Sequence, residues 1–184
     1  MHKLELLLRK YANNFLLLDD IINNQKIGYL NFNNIITVTD TNLSKIPSVK
    51  KVINYLQNNY NTKIIELSSG EPNYKMIEAT SKEIFKEKYD LVIALGGGSI
   101  LDIVKSASMY ENSVENVDHF SGSRKQYKER LVKTLAIPTT AGTGSEYTHT
   151  TVYKTRLNIK NWIWDELTYY DYVIYFSFLT VDLP

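Results

Sequence analysis

Two stretches of this sequence combine residue types that could do chemistry. The first is Gly96-Gly97-Gly98-Ser99, and the second is Pro138-Thr139-Thr140-Ala141-Gly142-Thr143-Gly144-Ser145-Glu146. A glycine turn between a strand and a helix permits φ > 0, and the missing Cβ lets backbone N–H groups approach an anion closely. The helix that follows adds its unpaired N–H groups and the positive end of its dipole. Ser99 can cap that helix or bond a phosphate oxygen with the same hydroxyl. The second stretch offers three threonine hydroxyls, a serine hydroxyl and two flexible glycines, enough to wrap a nucleotide with neutral donors and acceptors. Each has a plain structural alternative, a tight connection for the first and a polar loop with a helix cap at Ser145 for the second. The first is neither GxGxxG nor a P-loop, since no GKS or GKT follows. Two glycine- and hydroxyl-rich loops, each at a strand's end, favour a nucleotide site.

The elements that must position these loops follow from apolar patterning. Leu91–Leu95 is a short continuous apolar run, the mark of a strand buried on both faces. Beyond the glycines, Ile100, Ile103, Val104 and Ala107 recur at helical spacing and predict an amphipathic helix. Leu131–Ile137, stopped by Pro138, is a second such strand. Upstream, Phe15–Leu18 and Ile35–Val38 are apolar bursts, and the latter reads as a parallel strand ending at Thr39 and Asp40. Pro47 opens a helix with Val49, Val52, Ile53 and Leu56 on one face. Thr62–Leu67 reads as a strand, 68–73 as a loop, and Tyr74 to Lys88 as a helix carrying Ile77, Ile84 and Phe85. Residues 111–130 read as a polar loop with little core. This alternation predicts an α/β fold, a Rossmann-like parallel sheet with flanking helices over one domain, 1–184. Residues 150–184 differ: Trp162, Trp164, Tyr169, Tyr170, Phe176 and Phe178 predict an aromatic-rich hairpin or linker meant to be covered by a further domain.

Composition narrows the function classes. The formal charge of +1 gives no basis for a nucleic-acid or anionic-membrane partner. The sequence has no cysteine, so disulfides, thiolate metal sites and a cysteine nucleophile are out. Glu5 interrupts the short N-terminal apolar run, a poor signal peptide, and Tyr172 to Val181 is too short to span a bilayer. A cytoplasmic protein is the expectation.

Gly96–Lys105 (GGGSILDIVK) and Pro138–Glu146 (PTTAGTGSE) together resemble the iron-containing (group III) alcohol dehydrogenase family in order and separation. Weaker agreement runs through Val38–Asp40, Glu71–Tyr74 and Leu179–Pro184. Dehydroquinate synthase and glycerol dehydrogenases share the fold, but the full threonine loop favours the iron group. The resemblance implies a dehydroquinate synthase-like N-terminal domain with the helical C-terminal domain absent. It implies that Gly97, Gly98 and Ser99 hold the pyrophosphate of NAD, with NADP as the alternative. Asp102 would face the nicotinamide, and Thr139, Thr140, Thr143 and Ser145 would line the cleft. Asp40 would bond the adenosine ribose and repel a 2′-phosphate, which prefers NAD; its alternative is an Asp opening the turn 40–42. Lys160 matches a lysine that reaches a cofactor ribose. Asp102 and Lys105 have the alternative of an i,i+3 ion pair on a solvated helix face.

In that family Fe²⁺ or Zn²⁺ is held by one aspartate and three histidines of the helical half. The histidines here are His2, His119 and His149, none at ligand spacing with a carboxylate, so no metal ligand or catalytic residue is assigned. Trp162, Tyr170 and Phe176-Ser177-Phe178 depart from the family pattern, as erosion in a truncated gene or a divergent subgroup would leave them. The expected function is an NAD(P)-dependent alcohol dehydrogenase, alcohol to aldehyde or ketone, present as its cofactor-binding half. The alternative is a non-catalytic nucleotide-binding pseudoenzyme fragment or a subunit of a split enzyme. Expected partners are the dinucleotide, a small alcohol or aldehyde, and a helical partner chain or further copies of this one.

Overall fold

The computed structural model describes residues 15–17, 32–109, 116–123 and 132–181. Their centre is a six-stranded parallel sheet with strand order β1-β8-β5-β4-β2-β3. The strands are β1 (Phe15–Leu17), β2 (Asn34–Asp40), β3 (Asn61–Leu67), β4 (Leu91–Gly96), β5 (Lys133–Pro138) and β8 (Tyr172–Tyr175). The remaining two, β6 (Thr150–Lys154) and β7 (Lys160–Trp164), form a separate antiparallel hairpin. The helices are α1 (Pro47–Asn59), α2 (Tyr74–Ile84), α3 (Gly98–Met109) and α4 (Phe178–Val181). No helix among the described residues is long and apolar enough to cross a membrane.

The alternation of side chains along each strand divides the core in two. Leu91, Ile93 and Leu95 of β4 join Ile35, Leu135, Ile137 and Ile174 on one face, covered by Val49, Val52 and Leu56 of α1 and Leu179 of α4. Val92 and Ala94 point the other way with Ile36, Val38, Ala136 and Val173, beneath α2, α3 and the hairpin. All six residues of β4 are buried, as its unbroken apolar run requires.

Helix boundaries follow local signals. Pro47 supplies the fixed φ of a first turn, and Asn73 caps α2 by accepting the Met76 N–H at 3.2 Å. α2 ends at Ile84 rather than Lys88. The Asp90 carboxylate accepts the N–H groups of Asn33 and Asn34 at 3.1 and 3.0 Å, pinning the entry to β4. The chain must leave the helix early to reach it.

Two further segments depart from the sequence reading. Residues Val117–Ser123 form a short 3₁₀ stretch, and its Val117 and Phe120 are buried in the core instead of lying in a coreless loop. The aromatic segment after residue 150 divides: its first part is the hairpin, while β8 enters the main sheet between β1 and β5.

The glycine turn itself works differently from expectation. Positive φ occurs at Gly142 (128°) and Gly144 (63°), not at Gly96, Gly97 or Gly98. Those three are glycines for lack of room. A Cβ on Gly96 would lie 2.8 Å from both Cβ and Cγ1 of Ile100. Gly96→Ala therefore costs stability, about 1–3 kcal/mol for an overpacked site, as a lower urea midpoint with an unchanged slope would show.

Candidate functional site

The order of connections creates a crevice. From β2 the chain moves outward to β3 through α1; from β4 it moves the opposite way to β5 through α3. The two departures diverge between the carboxyl ends of β2 and β4, the switch point where open α/β sheets take their ligands. Asp40 ends β2, Gly96 ends β4, and Thr139 follows β5, its N–H donating to the Gly96 carbonyl at 3.0 Å.

The threonine loop packs directly on the glycine turn. A Cβ on Gly97 would sit 3.2 Å from Oγ1 and Cγ2 of Thr140, and one on Gly98 would sit 3.0 Å from Cγ2 of Thr143. The loop is tied down at its far end, where Ser145 Oγ donates to Asp102 Oδ1 at 2.5 Å. Gly97, Gly98, Asp102, Thr140, Thr143 and Ser145 are thus one assembly. Ser99 lies in the first turn of α3. Thr139 is fully buried, and among the described residues its Oγ1 and that of Thr140 have no hydrogen-bond partner.

Asp40 does open a turn: its Oδ1 accepts from the N–H groups of Asn42 and Leu43 at 2.7 and 3.2 Å. That turn is compatible with a ligand role, because it engages a single oxygen. Lys160 opens β7, where it and Lys154 grip Glu71 at 2.9 and 2.8 Å.

Asp102 and Lys105 do not form a solvated surface pair. The Lys105 side chain has no exposure and that of Asp102 has 13%. Lys105 Nζ lies 3.6 Å from Asp102 Oδ1 and donates to Thr148 Oγ1 at 3.0 Å and to the Thr150 carbonyl at 2.9 Å. Asp102 Oδ2 accepts the Val152 N–H at 3.0 Å. Burial raises the Asp102 carboxyl above the usual carboxylate range, against the pull of Lys105. Burial lowers the Lys105 ammonium to about 8, against the pull of Asp102. No pattern near Lys105 announces this, because the groups that enclose it, at Thr148 and Thr150, lie more than 40 residues on.

Glu146 is a second residue that sequence reasoning left without a role. It is buried; Oε1 accepts the Tyr175 hydroxyl at 2.6 Å, and Oε2 has no partner among the described residues. Burial and the bond to Glu146 push the Tyr175 hydroxyl far up. The histidines stay apart from this assembly: His149 Nδ1 meets Tyr169 Oη at 2.8 Å, His119 meets Asn116, and His2 lies outside the described residues. Among the described residues no group of three or more His, Asp or Glu side chains is placed to hold a metal ion.

A parallel sheet with a glycine-opened helix and a hydroxyl-rich loop at its switch point defines a Rossmann-like α/β domain. The chain belongs to the iron-containing alcohol dehydrogenase family, whose sequence profile matches residues 23–176. Among curated relatives, hydroxyacid-oxoacid transhydrogenase of Xenopus laevis mitochondria is 34% identical over 126 residues, 65% of this chain and 27% of that protein. Long-chain-alcohol dehydrogenase 1 of Geobacillus thermodenitrificans is 36% identical over 131 residues, 69% of this chain and 33% of that protein. The fold matches sulfoacetaldehyde reductase from Bifidobacterium kashiwanohense, solved in complex with NAD+, with a TM-score of 0.80 and 25% identity over 93% of this chain and 46% of that one. The chain thus spans about a third or less of these curated relatives and just under half of that structure.

Proposed function

We propose that this chain supplies the dinucleotide-binding part of an NAD-dependent alcohol dehydrogenase. The observation that carries the reading is the assembly at the switch point, where the α3 N-terminus, two space-limited glycines and two unpartnered threonine hydroxyls converge. Gly97, Gly98 and Ser99 would hold the pyrophosphate with backbone N–H groups and one hydroxyl. Thr139, Thr140, Thr143 and Ser145 would line the cleft, and Asp102 would face the nicotinamide. Bound NAD supplies the hydride acceptor or donor. The described residues do not fit a metal ion, so no metal-dependent step follows from them. A small alcohol or aldehyde would be the substrate of the complete enzyme.

Asp40 sets the expected cofactor preference. With Oδ1 fixed by Asn42 and Leu43, its second oxygen is available to the ribose hydroxyls and would repel a 2′-phosphate. Titration of NADH fluorescence should show tighter binding than for NADPH, by about tenfold or more, and Asp40→Ser should close that gap. A folded sample that binds neither nucleotide overturns the proposal. Equal affinity for both removes only the role given to Asp40.

A further inference from the structure

We propose that Lys105 is the positioning residue of the cofactor cleft, a buried cation that registers α3, the Ser145 turn and the hairpin against one another and so sets the geometry in which Asp102 and Ser145 meet the dinucleotide. The inference rests on the nucleotide-binding reading above.

The geometry is specific. One ammonium contacts groups from three places in the chain: Asp102 on its own helix, the Thr148 hydroxyl after the 3₁₀ turn, and the Thr150 carbonyl at the start of β6. Next to it, Ser106 Oγ and Thr151 Oγ1 lie 2.8 Å apart, so the helix and strand are stitched together along successive residues. Asp102 completes the link by accepting from Ser145 and from the Val152 N–H. These ties between the threonine loop's end and α3 pass through Asp102 or sit beside Lys105.

The charges explain why the cation matters. Asp102 faces it from α3 and Glu146 from the 3₁₀ turn Ser145–Tyr147. Tyr170 and Tyr175 are neutral hydroxyls, donating to the Leu101 carbonyl at 2.7 Å and to Glu146. With Lys105 protonated, two carboxylates share one buried cation. With Lys105 neutral, both lose it, and Asp102 must take a proton or move off Ser145.

This gives two trends of opposite sign. The folded protein holds the Lys105 proton less tightly than the unfolded chain, with a value lowered to about 8 from 10.5. Its contribution to stability is therefore greatest above the unfolded value and is lost as pH falls through about 8. Stability contributed by this residue rises from pH 7 to 9.5, while the clamp, which needs the charged form, weakens over the same interval.

The test is NADH titration of the chain and of Lys105→Met at pH 7 and 9.5, with thermal unfolding at both. The wild-type affinity should fall at least about tenfold toward high pH as the cation is lost. Lys105→Met should bind at least about tenfold more weakly than wild type at pH 7, show no pH dependence, and meet the wild type at pH 9.5. Wild-type binding that is flat with pH, or a variant that keeps both the affinity and the pH profile of wild type, overturns the inference and leaves the nucleotide-binding reading intact. No NADH binding by the wild type at either pH overturns both. If Lys105→Met does not fold, the wild type decides alone: falling affinity with a rising unfolding midpoint supports the clamp, and parallel trends sink it.

Discussion

Substituting valine for Gly98 is expected to weaken NADH binding by at least about 30-fold, or about 2 kcal/mol, without unfolding the domain. The reason is the position of Thr143. A Cβ at residue 98 would lie 3.0 Å from Cγ2 and 3.1 Å from Cβ and Oγ1 of that threonine, so the pressure falls on the root of the side chain and not on a flexible tip. Thr143 has little freedom to retreat. It stands between Gly142 and Gly144, whose φ angles of 128° and 63° few other residues adopt, and the loop is anchored just beyond by the bond from Ser145 to Asp102. Gly98 also opens α3, so a branched side chain there covers backbone N–H groups that the helix leaves unpaired. Gly97→Ala should do less, since its Cβ would meet Thr140 at 3.2 Å. A Gly98→Val protein with wild-type affinity would show that the pyrophosphate does not approach this turn.

Asp102→Leu should cost about 3–5 kcal/mol in urea unfolding, more than Gly96→Ala. The substitution leaves the Ser145 hydroxyl and the Val152 N–H without the acceptor they share and strips the Lys105 ammonium, still bonded to Thr148 and Thr150, of its carboxylate partner. The cation dominates, because its side chain has no contact with solvent. Combining Asp102→Leu with Lys105→Met should return most of the loss, since an apolar pair of similar volume satisfies the same space without a stranded charge. Losses that simply add in the double variant would mean that the two side chains do not act as a unit.

What was legible in the sequence is what short-range pattern determines. The run Leu91–Leu95, the glycines after it and the helical spacing of Ile100, Ile103, Val104 and Ala107 specify strand, turn and helix without reference to the rest of the chain. The sheet's parallel character followed from the same alternation. What was not legible depends on partners far away. Every residue from Ile103 to Met109 is buried, because α3 lies between the sheet and the hairpin, and no periodicity within those residues announces the second cover. The solvated i,i+3 pair, the plain alternative for Asp102 and Lys105, is thereby excluded. Only the expected backbone angles at the glycine turn are overturned: positive φ falls in the other loop, while at Gly96, Gly97 and Gly98 space set by Ile100, Thr140 and Thr143 disfavours a Cβ. The departures from the family pattern divide likewise. Tyr170 and Phe176 are core residues at 8% and 2% exposure, while Trp162 stands 52% exposed on the hairpin.

That hairpin has an optical consequence. The sequence contains two tryptophans, Trp162 and Trp164, and both lie on β7, each about half exposed. Tryptophan emission, excited selectively over that of the tyrosines, thus originates in one small element that is docked on α3 and forms a sheet of its own among the described residues. The Trp164 ring lies 5.0 Å from the His149 imidazole, so its emission also senses the packing at the start of the hairpin. Fluorescence will report the hairpin leaving its seat, and far-ultraviolet dichroism the loss of the sheet and helices. Unfolding followed by both signals would reveal whether the clamp beneath the cofactor cleft opens before the domain does.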